Sequence, residues 1–334
     1  MKEQLPSQDH SIQDERQFDV QPMGRHLMPP EFSLQASSGV VQRSSEQYGT
    51  NNMPELTGSV YDAKGNPQGI LGNDTGEPIV LFNKKLLKTI RKDKKAAGKS
   101  DTEYKLDASE WKTIDYCILP PLSHREKMKE IMEEDDTSGY MEFGGRGLIP
   151  IDSESGKLQH DKKTHVRSVD GEVAVAGDEA ANIQLDSVHN NDRNLIGEVF
   201  PSGSFATDYT WHSHPEGSWK KRSGEPDAAF KPAKDFDQEA KSNQPLSGTT
   251  IGGSDIVTKY FDLGPSEADI QNAHRRYAAS QVPPSSDSEE VYPMNRNFVI
   301  HKREKKVFFY NQETPIGKGN HNGIIPLDVF WSLK

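Results

Sequence analysis

Cysteine is almost missing from this chain. A single residue, Cys117, rules out an intramolecular disulfide, so cysteine usage gives no sign of an oxidising compartment. It lies in the run Ile114-Asp115-Tyr116-Cys117-Ile118-Leu119, whose apolar character predicts a buried strand position rather than a catalytic thiol. Long hydrophobic runs are missing too. No stretch reaches the roughly 20 apolar residues that span a bilayer, so no membrane partner is expected. The opening MKEQLPSQDH lacks an apolar h-region, which excludes a classical signal peptide. Apolar residues make up only 32% of the 334, so a packed core is expected over part of the chain and long polar segments elsewhere. An excess of cations is also lacking. With 40 Lys and Arg against 51 Asp and Glu, the net charge of −11 argues against nucleic acid as a partner.

What is present sorts into regions. Residues 1–55 are rich in Gln, Ser and Pro without periodicity, and a disordered leader is expected there. One patch inside it differs. In Leu27-Met28-Pro29-Pro30-Glu31-Phe32-Ser33-Leu34-Gln35-Ala36, Phe32 and Leu34 alternate after a proline pair, as in an extended docking segment. An incidental apolar spot in a tail is the alternative. Continued to Gln42-Arg43, the patch resembles leader segments of bacterial contractile-injection-system cargo. That resemblance implies the tube of such a machine as a partner. It also implies a bacterial cytoplasmic protein that is secreted or injected without a classical signal.

Residues 56–105 read as a small β-rich accessory segment. Val60-Tyr61, a turn over Asp62 to Asn66, Ile70-Leu71 and Ile79 to Phe82 predict a β-meander, and the Lys-rich 83–105 follows as helix or loop. A main domain is expected over 106–312. Ser123-His124-Arg125-Glu126 has the capping-box pattern and predicts a helix over 124–134. Tyr140 to Phe143 predicts a strand stopped by Gly144-Gly145, and Glu172 to Val175 and Thr207 to His214 predict two more. Residues 216–264 form a polar insertion with one apolar segment, Ile256 to Phe261. A helix over 266–279 and a hairpin of 298–300 with 307–310 complete the domain. Residues 313–334 remain as a C-terminal tail with an apolar group at Val329-Phe330-Trp331. The mixture gives an α+β fold class.

The chemical signal is Trp211-His212-Ser213-His214-Pro215. On an extended strand, residues i and i+2 project to one face, so two imidazoles can reach one metal without backbone distortion. A pair of surface histidines before a proline turn is the alternative. A catalytic zinc site takes three protein ligands and leaves a fourth position open. Asp269, in Ser266-Glu267-Ala268-Asp269, is the best third ligand, although Ser-x-x-Asp is also a helix cap. A first-turn Asp can serve both ends. Asp255 is the fallback. Glu142 is the candidate base for an activated water, with a solvated strand end as its alternative.

An upstream Glu, then His-x-His-Pro, then Ser-x-x-Asp, in that order, resembles the JAMM/MPN metallopeptidases over about residues 110–312. The resemblance implies an α/β sandwich around a curved, mainly antiparallel sheet. It implies Zn2+ held by His212, His214 and Asp269, with Glu142 as general base and Ser266 helping to stabilise the oxyanion. The implied activity is hydrolysis of a peptide or isopeptide bond in a protein or peptide substrate, a ubiquitin-like conjugate among them. One feature departs from the family: 51 residues separate His214 from Ser266, where the family has a short gap. A loop this long is expected to be functional, lying over the cleft and restricting access. Two other readings stand beside the peptidase: a non-catalytic JAMM-like cargo or scaffold module, and a metal-dependent small-molecule amidohydrolase.

Overall fold

A computed structural model describes residues 56–134 except 74–75 and 102, 139–192 except 153–154, 156, 180 and 190–191, then 205–242, 255–280 and 295–334. The leader and its docking patch lie outside the described residues, as do 243–254 of the insertion. The fold is α+β. The described residues hold five α-helices and three sheets, the largest two of mixed strand direction. No helix among them is long and apolar enough to cross a membrane.

The largest sheet has six strands. Its spatial order is β14 (Gly323–Pro326), β13 (Lys306–Tyr310), β12 (Arg296–His301), β8 (Phe205–His214), β6 (Gly144–Pro150) and β7 (Thr164–Arg167). Every neighbouring pair is antiparallel except β12 and β8. Strand alternation sorts the side chains between two faces. Tyr209, Trp211, Phe298, Ile300, Val307, Phe309 and Ile325 join a core that also holds Met128, Ile131 and Met132 of α2 (Leu122–Glu133) and Phe330 of α5 (Leu327–Ser332). On the opposite face, Val299, Phe308 and Tyr310 pack against Ile270 and Ala273 of α4 (Glu267–Ser280). The sheet is therefore covered by helices on both sides. His212 and His214 share the parity of Thr210 and face the α4 side.

The strand expected over 140–143 and stopped at Gly144 is corrected. The strand begins at Gly144 and runs to Pro150. The glycines are not a stop. A Cβ on Gly147 would lie 2.1 Å from Tyr209 Cε1, so this position must be bare for the ring of the neighbouring strand to lie flat on it. Opposite that point the register of β6 against β8 shifts between Gly147 and Leu148. The bulge turns the fully buried Asp208 towards Arg296 and Lys163, which neutralise it.

The expected meander is corrected as well. In the five-stranded sheet the order is β4 (Lys105–Leu106), β2 (Pro67–Leu71), β1 (Gly58–Asp62), β3 (Ile79–Leu81), β5 (Tyr116–Ile118). β3 lies parallel to β1 on the side away from β2, so the chain crosses instead of folding back. The Lys-rich segment resolves into α1 (Lys84–Ala97). Asn83 caps it by accepting from the backbone N–H groups of Lys85 and Leu86, and Gly98 closes it in the left-handed conformation. Cys117 is a buried strand residue.

Glu172 to Val175 forms no strand. Val173 and Val175 are 67% and 71% exposed, and the backbone bond from Ala174 N to Tyr140 O does not extend into a ladder. The helix expected over 124–134 starts two residues earlier, after Pro121, without a side-chain cap, so Ser123 is not its N-cap. Residues 313–334 contribute β14 and α5 to the main sheet and core. Buried Arg125 donates to the carbonyls of Phe330 and Leu333, satisfying the end of α5. The hairpin of β12 and β13, the strand at β8 and the helix after Ser266 stand where their patterns put them.

Candidate metal centre

Four acidic and imidazole side chains from separated parts of the chain line one cavity of about 630 Å³. His212 and His214 come from the end of β8, with ring centroids 5.2 Å apart. Both are buried, because β8 is a central strand with β6 and β12 on its flanks. Glu142 precedes β6. Its neighbour Phe143 exchanges hydrogen bonds with Ser213, N–H to Oγ at 3.0 Å and carbonyl to N–H at 2.7 Å, which holds Glu142 beside the imidazole pair. One ligand atom from each of Glu142, His212 and His214 lies within 4.8 Å of the others, so this buried group could hold a metal ion.

Asp269 adjoins the group, with Oδ2 3.5 Å from His212 Nε2. The same oxygen accepts the Ser266 backbone N–H at 2.8 Å, while Ser266 Oγ accepts the Asp269 N–H at 3.1 Å. This reciprocal pair is a capping box at the start of α4. The cap and the cavity-facing carboxylate are thus the same residue, and the two sequence readings coexist. Ser266 also lines the cavity. Asp255, the fallback, does not, and sits at the far end of the insertion's sheet.

Electrostatics at the site follow from burial and proximity. Burial pushes the Glu142 carboxyl up to about 8, opposed by His212 and reinforced by Asp269. Burial acts against a charged His212, but the Asp269 carboxylate overcomes it and raises the imidazole to about 9. Asp269 is held well below the usual carboxylate range: burial opposes this, and the His212 contact prevails. Burial, with His212 beside it, lowers His214 to about 4. The donor set fits a divalent cation. His214 Nδ1 donates to the Asp262 carbonyl at 2.7 Å, which fixes its tautomer and leaves the Nε2 lone pair facing Glu142 Oε1 at 3.9 Å. Nδ1 of His212 is buried without a hydrogen bond. Its Nε2, which the Asp269 carboxylate faces at 3.5 Å, is the nitrogen placed to share an ion with that carboxylate.

The insertion shapes the site from behind. Its sheet is β10 (Lys231–Pro232), β9 (Ser218–Arg222) and β11 (Ile256–Tyr260), with α3 (Ala233–Ser242) alongside. Trp219, Phe230 and Phe261 form a small core with Tyr140, Ala174 and Ala181. Trp219 Nε1 donates to the Asp178 carbonyl at 2.8 Å, and Asp262 N to that of Glu179 at 3.0 Å. These bonds brace a segment, 179–187, that forms one wall of the cavity. Gly144 lets the wall come close, since a Cβ there would meet Leu185 Cδ2 at 2.7 Å. From the insertion and its flanks, only Pro215, Phe261 and Asp262 line the cavity among the described residues; its described strands buttress the wall, and residues 243–254, part of the expected cover, lie outside the described residues.

Sequence reasoning missed the Asp262 carbonyl, the 179–187 wall, Tyr310, and Arg275 with Arg276. A carbonyl carries no residue signature, and the wall has no periodicity. The arginines were legible, because they follow Asp269 at i+6 and i+7 on the expected helix. No family model, no curated protein and no solved structure matches the chain.

Proposed function

We propose that the protein is a zinc-dependent hydrolase of the JAMM type that cleaves peptide or isopeptide bonds. One observation carries the reading: Glu142, His212, His214 and Asp269, drawn from three separated segments, line one cavity together with Ser266. The main sheet, with one parallel pair and helices on both faces, is compatible with the sandwich that the resemblance implies. His212, His214 and Asp269 would hold the ion; two imidazoles and one carboxylate suit zinc, which then leaves a position open. When bound, zinc supplies Lewis-acid polarisation of the scissile carbonyl and acidifies water.

The chain's own groups supply the proton traffic. Glu142 accepts a proton from the attacking water and returns it to the leaving amine. Burial raises its carboxyl above the usual carboxylate range, which favours the protonated form that it holds between the two transfers. Ser266 Oγ already accepts a backbone N–H, so its own O–H is left to donate to the carbonyl oxygen as charge builds there. The Asp262 carbonyl keeps His214 in one tautomer. The leader patch, by its resemblance, supports delivery as an effector through a contractile injection machine.

Glu142→Gln tests the reading. Assayed against a panel of peptide and isopeptide-linked substrates, it should keep zinc and lose activity by about 10²–10⁴-fold. A wild-type chain that holds zinc but cleaves nothing in the panel would favour the scaffold reading. Cleavage confined to small acyl-amines would favour the amidohydrolase reading.

A further inference from the structure

We propose that Arg275 and Arg276 form a carboxylate-binding subsite in the cleft, which selects substrates with an acidic side chain or a free C-terminal carboxylate. The inference rests on the hydrolase reading only for the word substrate; the subsite itself is a matter of charge and place. Asp269, Asn272, Arg275 and Arg276 of α4 all line the cavity. Asp269, Asn272 and Arg276 stand at i, i+3 and i+7, one stripe of the helix running outward from the metal centre. At about 1.5 Å per residue the arginines lie roughly 10 Å along the axis from Asp269. An extended peptide covers that distance in about three residues.

The helix itself does not explain these charges. Positions three and four away from Arg275 are Gln271, Asn272, Ala278 and Ala279, and those around Arg276 are Asn272, Ala273, Ala279 and Ser280. None is acidic, so no intrahelical ion pair is served. Both residues sit in the middle of α4, away from the C-terminal turn where a cation favours the dipole. Arg275 Nη2 donates to the neutral Asn272 amide oxygen at 2.6 Å, and Arg276 Nη2 to that of Asn297 at 2.8 Å. These neutral amides orient the guanidinium groups. Among the described residues Arg275 makes no ion pair.

The acids of the cavity are differently placed. Glu179 and Asp262 pair with Lys318 at 3.7 and 3.0 Å, and Asp186 with Arg146 at 3.5 Å. These three acids are thus paired and the other two that line the cavity, Glu142 and Asp269, belong to the metal centre, so Arg275 and Arg276 are the guanidinium groups that the lining presents outside that centre. A guanidinium fork binds a carboxylate through two parallel charge-assisted hydrogen bonds, which a neutral side chain cannot match.

Binding rather than turnover provides the test. Fluorescein-labelled alanine-rich octapeptides are titrated with the full chain carrying Glu142→Gln and loaded with zinc. One probe has a single Glu and an amidated end, its twin has Gln instead, and a third is neutral with a free C-terminal carboxylate. At least one carboxylate probe should bind about tenfold tighter than the neutral twin, and which one does identifies the source. Arg275→Glu should abolish the difference while the melting temperature stays unchanged. Arg275→Gln with Arg276→Gln should do the same, and added salt should weaken the carboxylate probe selectively. Equal binding of charged and neutral probes, or a preference that survives Arg275→Glu, would overturn the subsite. Charge-dependent binding by a chain that in its wild-type form cleaves nothing keeps the subsite and removes the hydrolase reading; cleavage without charge dependence does the reverse.

Discussion

His212 carries the heaviest electrostatic load of any residue in the centre, because a fully buried imidazole there is held charged by Asp269. An imidazole must be neutral to bind a metal, so on the proposed reading zinc would have to displace that proton. With His212 raised to about 9, the metal-free site is protonated at pH 7 and progressively less so as pH climbs towards 9. Apparent zinc affinity should therefore rise by up to about tenfold per pH unit between 7 and 9 and then level off. Calorimetric titrations in buffers of different ionisation enthalpy would also register about one proton released per zinc at pH 7. An affinity flat across that range, with no proton release, would show that His212 is neutral beforehand. Asp269→Asn should weaken the dependence, since it removes the charge that holds the imidazolium.

At the scale of elements, β6 and the insertion decide how the site is framed. Gly147→Ala places a methyl 2.1 Å from the Tyr209 ring, and in a well-packed sheet such crowding costs about 1–3 kcal/mol or more. Chemical denaturation should show that loss; an unchanged midpoint would mean that β6 and β8 separate at little cost. Trp219→Ala removes the centre of the buttress and its bond to the Asp178 carbonyl. The 179–187 wall should then exchange its amide protons faster, while β8 and β12 remain protected. The sequence was most readable where a periodic or capping signal acted alone. Alternation marked β8, β12 and β13, and Ser-x-x-Asp marked the start of α4. It failed where the partner strand held the reason. Gly144-Gly145 read as a stop because nothing nearby in sequence announces Trp211, 66 residues beyond Gly145, as the neighbour that they pack against. Val173 and Val175 read as a strand because apolar alternation does not say whether a surface waits to bury it. Within the centre, His212, His214, Glu142, Ser266 and Asp269 were legible as a set only through the resemblance that their order carries. The carbonyl of Asp262 and the wall were not, since both act through backbone.

The whole molecule couples its stability to pH through a second pair of imidazoles, on the face of the sheet away from the metal centre. His124 Nδ1 bonds to the Tyr209 hydroxyl at 2.9 Å, and His165 Nε2 accepts from Trp211 Nε1 at 2.9 Å. Burial lowers them to about 4 and about 3. Both fall below the unfolded value, so the unfolded chain takes up protons first as pH drops. The contribution of this pair is complete above pH 6.5 and declines below it by up to about 1.4 kcal/mol per pH unit for each imidazole, until each folded value is reached. Denaturant midpoints at pH 7.5 and 5.0 should differ accordingly, and His165→Gln should reduce the difference. Above pH 6.5 this pair is silent, so a zinc-linked change there does not come from it. The most direct test is bound zinc per chain, measured by mass spectrometry of the metal after gel filtration, in wild type, Asp269→Ala and Glu142→Gln. One zinc in wild type, none in Asp269→Ala and one in inactive Glu142→Gln is the expected result. Zinc retained by Asp269→Ala but lost from Glu142→Gln, or absent from wild type, would contradict it.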